Sequence, residues 1–210
     1  AFNYFRLVQW FGDIPLVTTQ LTEDQFFTQK RNAKSEIYAL IEQDLKDAIA
    51  SLPEKSKYSI NDLGRATKGA AKGILAKLYM VQKKYAEALV LCDEIITSGE
   101  YSLIPNYNQI FTRASEFGPE SMFEIGAVAL QASIAGSGAS PYNMVQGVRG
   151  VPNLGWGFNR PSDDLIQNYE AGDPRRQATI TYVGEVLPHG LTIVQDNPEI
   201  LNPRFNQKAW

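Results

Sequence analysis

The feature that most constrains this chain is a pair of helical patterns within residues 67–99. Thr67 is a helix-capping residue, and apolar side chains follow at Ala70, Ala71, Ile74, Leu75, Leu78 and Tyr79. Those positions recur three and four apart, which puts them on one face of a helix. A Lys83-Lys84 turn comes next, then a second stripe at Tyr85, Ala88, Leu89, Cys92, Ile95 and Ile96. Gly99 stands where a left-handed C-terminal cap belongs. Ala70, Gly73 and Ala76 are small enough for a neighbouring helix to approach closely. Two short helices, a tight turn and small residues at the crossing predict an αα-hairpin.

The segments before it are also helical. Residues 1–12 read as the end of a helix with Phe2, Phe5, Val8 and Trp10 on one face, so Trp10 is expected in the core; Gly12 stops it. Residues 13–33 read as a loop with an extended start at Ile14–Val17. Ser35 is the expected N-cap of the next helix, with Glu36 in its first turn. Its stripe runs through Ile37, Tyr38, Ile41, Leu45, Ala48, Ile49 and Leu52 to Pro53. "EKSKYSINDLG" reads as polar loop. Within the hairpin, "AKLYMVQKKYAEAL" resembles one tetratricopeptide repeat, with Ala76, Tyr79, Tyr85 and Ala88 at its small and aromatic positions.

After residue 105 the texture changes. "ESMFEIGAV" reads as a short strand, and the Gly-, Ser-, Pro- and Asn-rich residues 131–160 as too irregular for a helix. Asp163 and Asp164 open a short helix, "SDDLIQNYE", that Gly172 ends. "ATITYVGEV" reads as a strand and the tail from Pro188 as loop. The expected fold is mainly α: tetratricopeptide-like helical hairpins over residues 1–105, packed against an irregular, loop-rich part with a few short strands over 106–210.

Composition excludes several classes. Hydrophobic residues are 44% and charged residues 20%, with a net charge of −3 and no basic stripe, so no nucleic-acid partner is expected. The single cysteine, Cys92, forms no internal disulfide or cysteine zinc cluster and falls at an apolar helix position, which predicts a buried, inert thiol. No apolar run approaches the ~18 residues of a membrane-spanning helix. The chain begins without Met and already in helical pattern, so a fragment of a longer protein is expected.

No motif supports catalysis. "GRATKGAAKG" has the glycine spacing of a phosphate loop but lacks the Lys-Ser/Thr that must follow, and no strand precedes it. Asp163 and Asp164 are sequence neighbours, whose side chains diverge by about 100° on a helix, whereas a glycosidase aims two carboxyls at one bond. They read as helix-start acids. His189 has no partner motif and reads as surface. No enzyme, cofactor or metal site is expected. In "GDPRR", Asp173 is expected to pair with Arg175 or Arg176 and fix a turn; the alternative is arginines that meet an acidic glycan or a protein partner.

Six stretches together resemble the SusD/RagB family of Bacteroidetes: "YFRLVQWFGDIPLVT", "EIYALIEQDLKDAIASLP", "GRATKGAAKGILAKLYM", "YAEALVLCDEIITSGEYSLIPNYNQIF", "ESMFEI" and "PSDDLIQNYEAGDPRRQATI", in the family's order. The resemblance implies a tetratricopeptide-like fold and a non-catalytic nutrient-binding lipoprotein on the cell surface. It would be held at the outer membrane by a lipidated cysteine outside this fragment. It would deliver oligosaccharide or polysaccharide to a SusC-type TonB-dependent transporter. Some members take peptides, so the alternative is a helical-repeat scaffold for peptide or protein with no sugar site.

Sugars offer apolar C–H faces and hydroxyl edges, so their sites combine exposed rings with Asn, Asp, Gln or Arg. Residues 142–160 supply both on a Gly-rich backbone, and the candidate ligand residues are Trp156, Tyr142, Asn143, Asn153, Asn159 and Arg160. Trp156, between two glycines, is either a sugar platform or a lid on the core. Phe158, without a polar handle, reads as core.

Overall fold

The computed structural model describes residues 1–126, 142–150, 154–187, 190–194 and 203–208, with Tyr142 and Asn143 described by backbone alone. The chain divides into two compact units. Unit 1 comprises Ala1–Leu103 and Glu116–Glu124; unit 2 comprises Ile104–Ser115 and Ile125–Trp210.

Unit 1 is helical: α1 (Phe2–Phe11), α2 (Lys34–Ser51), α3 (Lys68–Val81) and α4 (Tyr85–Thr97). α3 packs on both α2 and α4, and α1 packs on α2. Ile37 and Ile41 of α2 and Leu78 of α3 are fully buried, with Phe5 and Val8 of α1 in the same core. Thr67 caps α3 by accepting the Ala70 amide at 3.0 Å. Lys83 turns the hairpin at φ +61°, and Gly99 ends it at φ +69°. Gly69 lets Tyr101 tuck against the start of α3: a Cβ there would lie 2.5 Å from the Tyr101 ring. Lys55 ties residues 116–124 to this unit, donating to the Gly118 and Ser121 carbonyls at 2.5 and 2.8 Å.

Several expectations change here. α2 starts at Lys34, one residue before Ser35, because the Asp13 carboxylate accepts the Lys34 amide at 2.8 Å from 21 residues away. A distant side chain supplies the cap that Ser35 was expected to give. Trp10 is 76% exposed. It lies two residues, about 200°, round the helix from buried Val8 and so faces away from the core. The α4 stripe resolves into two lines. Ala88 is buried and Leu91 and Ile95 are partly covered, while Tyr85, Leu89, Cys92 and Ile96 point outward. Cys92 is therefore an exposed thiol, not a buried one. Described residues 120–126 form no strand.

Unit 2 has short elements: α5 (Tyr142–Gln146), α6 (Asp163–Gln167), α7 (Pro174–Thr179), β1 (Ile180–Tyr182) and β2 (Arg204–Asn206). The strands pair antiparallel, with Thr181 opposite Phe205. Val148, Leu187, Ile193 and Phe205 form the unit's core. α5 lies where only irregular chain was expected, and β2 lies in the tail expected to be loop. Each is short, stabilised by contacts distant in sequence rather than by periodicity of its own. Ser162 caps α6 through the Leu165 amide, and Asp163 and Asp164 occupy its first turn; the helix ends at Asn168, before Gly172. Asp173 pairs with Arg175 and also caps α7, with Pro174 at the first helical position. The expected turn is thus the start of a helix.

Candidate functional site

The candidate site is a loop of unit 2, residues 154–160, laid over the end of α5. The last carbonyls of a helix lack intrahelical donors. Here the loop supplies them: the Trp156 amide donates to Met144 O (2.7 Å), Gly157 to Gly147 O (2.9 Å) and Phe158 to Val145 O (3.0 Å). Three successive amides pointing inward fix the backbone. Gly155 permits the approach, since a Cβ there would lie 2.7 Å from both Gly147 Cα and Met144 O. Gly157 takes a left-handed φ of +70°, and Asn159 one of +53°.

With the backbone turned inward, the rings turn out. Trp156 is 52% exposed and Phe158 60%. They meet edge to face, with centroids 6.4 Å apart at 75°. Phe158, expected in the core, is the second half of an exposed aromatic pair. Arg160 closes the loop from below, donating through Nε to Gly157 O at 2.9 Å and standing 5.5 Å over the ring of Phe205. Asn159 Nδ2 donates to Gln146 Oε1 at 3.2 Å, and Asn206 Nδ2 donates to the same oxygen at 2.8 Å.

The structure thus brings Trp156, Asn159 and Arg160 together on one loop, and joins to them Phe158, Gln146 and Phe205. Asn153, the side chains of Tyr142 and Asn143, and His189 lie outside the described residues. Gln146 and Phe205 were not singled out as site residues. Gln146 carried a signal, an amide within the aromatic-rich stretch; Phe205, about 50 residues away, carried none. Asp163, weighed as a carboxylate for catalysis, is ion-paired to Arg204 at 2.6 Å. Arg175 is held by Asp173, and Arg176 donates to the Tyr182 hydroxyl at 3.2 Å. Among the described residues no three acidic, histidine or cysteine side chains cluster as metal ligands.

Such a loop is a rigid, half-exposed aromatic platform with amides at its edge. Comparison with known proteins shows what the chain is similar to. The SusD-like family described as "Starch-binding associating with outer membrane" matches residues 1–80. A solved structure of a "Laminarin binding SusD-like protein" superposes with a TM-score of 0.81 at 27% identity, covering 99% of this chain and 49% of that one. The chain is thus similar to SusD-like proteins in both sequence and fold. Among its SusD-like relatives, protein P25 of Formosa agariphila is 30% identical over 125 residues, 60% of this chain and 23% of P25. Protein P2 of the same organism is 27% identical over 205 residues, 90% of this chain and 39% of P2. The chain spans less than half the length of each of these similar proteins. The mainly helical fold of unit 1 is the fold of that family.

Proposed function

We propose that this chain is part of a non-catalytic, cell-surface glycan-binding protein. It holds oligosaccharide or polysaccharide and passes it to a SusC-type TonB-dependent transporter, at an outer membrane to which the whole protein is lipid-anchored. The observation that carries the reading is the Trp156–Phe158 pair: two half-exposed rings on a backbone pinned by three inward hydrogen bonds. A platform fixed before the ligand arrives loses little conformational freedom on binding. Two descriptions support the reading, the starch-binding description of the family and the laminarin-binding description of the 27%-identical structure; each names a polysaccharide. The ligand set on this loop is Trp156, with Phe158 beside it and Asn159 at the edge. Arg160 acts mainly as the clamp beneath. Tyr142, Asn143 and Asn153 complete the candidate set.

The test is calorimetric titration with maltohexaose, laminarihexaose and a broader oligosaccharide panel, for the native chain and Trp156→Ala. The expected result is affinity reduced about tenfold or more with the melting temperature unchanged, the scale of one lost stacking contact. Unchanged affinity, or a collapsed melting temperature, would make Trp156 a structural lid. A blank panel, with a pull-down that recovers only the transporter, would replace the glycan reading with the scaffold reading.

A further inference from the structure

Unit 2 contains a second opening that uses none of the loop's residues. A cleft of about 780 Å³ lies between the turn at Tyr107–Gln109, α7 and the residues that follow β2. That volume falls within the range of small-ligand sites, about 300–1,000 Å³. Its aromatic element is Phe111, 48% exposed. The ring is already held in place: Tyr107 packs edge-on at 5.5 Å, and the Lys208 ammonium stands 4.3 Å from its centroid. Lys208 also donates to the Tyr107 hydroxyl at 2.7 Å, which fixes its ammonium beside the ring.

The cleft is also lined by four residues with side-chain amides, Asn108, Gln109, Gln177 and Gln207. Among the described residues none of the four has a protein hydrogen-bond partner. Glu185, the carboxylate at the cleft, accepts the Tyr182 amide and the Thr181 hydroxyl through Oε2. Each charged group thus has neutral partners inside the protein, and the four amides stand beside them for a ligand. An amide both donates and accepts, as a sugar hydroxyl does, and a held aromatic face suits the C–H face of a pyranose.

We infer that this cleft is a second oligosaccharide-binding site, with Phe111 as the stacking ring and Gln109, Gln177 and Gln207 as its hydrogen-bonding edge. The inference rests on the glycan-binding reading given above, though on separate residues. β2 links the two places: Phe205 lies under Arg160 of the Trp156 loop, and Gln207, just past the strand, lines the cleft. Two sites on one unit favour long chains over short ones, because the second engagement is intramolecular.

The experiment is calorimetry of the full 210-residue chain with maltohexaose and laminarihexaose, comparing native protein with Trp156→Ala, Phe111→Ala and Gln109→Ala. Gln109 is exposed and makes no side-chain contact that folding needs, so its variant tests the cleft even if Phe111→Ala is unstable. The expected result is two sites per chain. One is weakened by Trp156→Ala. The other is weakened about tenfold by Phe111→Ala and severalfold by Gln109→Ala. A single site insensitive to both cleft variants overturns the inference and leaves the Trp156 reading standing. A single site weakened by cleft and loop variants alike also overturns it. Binding lost only in the cleft variants upholds the cleft and removes the Trp156 platform. No binding of either hexaose overturns both.

Discussion

Gly155 has no room for a side chain. An added Cβ would meet Gly147 Cα and Met144 O at 2.7 Å, and both are backbone atoms that cannot swing aside. Gly155→Ala is therefore expected to cost about 1–3 kcal/mol, the range for overpacking a close contact, and to lower glycan affinity by displacing Trp156. Thermal melts and titration of the same sample would check it; an unchanged melt would mean the loop is not pinned as described. Glu42 is a second residue whose neighbours decide its behaviour. It accepts from Lys46 at 2.8 Å, Lys84 at 3.0 Å and the Tyr79 hydroxyl at 3.2 Å. The Lys46 hydrogen bond, chiefly, holds its carboxyl below the ordinary carboxylate value, against the opposing effect of burial. A lowered folded pKa stabilises the fold fully above the unfolded value of about 4.3, and that contribution fades as pH falls through the folded value. Glu42→Gln should lower the melting temperature at pH 7, with the gap to native closing below about pH 4. A gap independent of pH would show that the carboxylate's charge is not what the site uses.

At the scale of elements, the αα-hairpin depends on its first cap. Thr67 is 5% exposed, and its hydroxyl bonds both the Ala70 amide and the Tyr101 hydroxyl at 3.0 Å. Thr67→Ala should cost about 1–2 kcal/mol of stability in denaturant titration, with Thr67→Ser retaining most of it. Equal losses in the two variants would point to packing of the methyl group instead. The same scale explains the two faces of α4. A helix of this length carries two apolar lines, and the one through Ala88 is the line that joins the core with Leu75 and Leu78 of α3. Spacing alone gave both lines as one stripe, since three-and-four periodicity marks an apolar surface without saying which part of it a neighbour covers.

At the scale of the whole molecule, charge decides how a ligand is held. Net charge is −3, Arg175 is engaged by Asp173, and the candidate ligand surfaces present mainly rings and amides, with Lys208 and Glu185 at the cleft. Binding of a neutral oligosaccharide should therefore change less than about twofold between 50 and 500 mM salt, a range over which the Debye length falls severalfold. A steep loss of affinity with salt would indicate an acidic glycan. The sequence by itself determined the helices of unit 1, from the caps at Thr67 and Gly99 to the stripe through Ile37 and Ile41, because those signals are local and repeat every turn. It also determined that residues 155–160 place aromatics among glycines. Only the tertiary structure decided which rings face water. Trp10 and Phe158 both read as core and both are exposed, one by its angle on a helix, the other because three amides turn its backbone inward. It also decided what stands under the platform and around the cleft: Phe205 beneath Arg160, Lys208 above Phe111, Asp13 at the start of α2. Those contacts join residues tens of positions apart, and no local pattern encodes which distant side chain the folded chain will bring alongside.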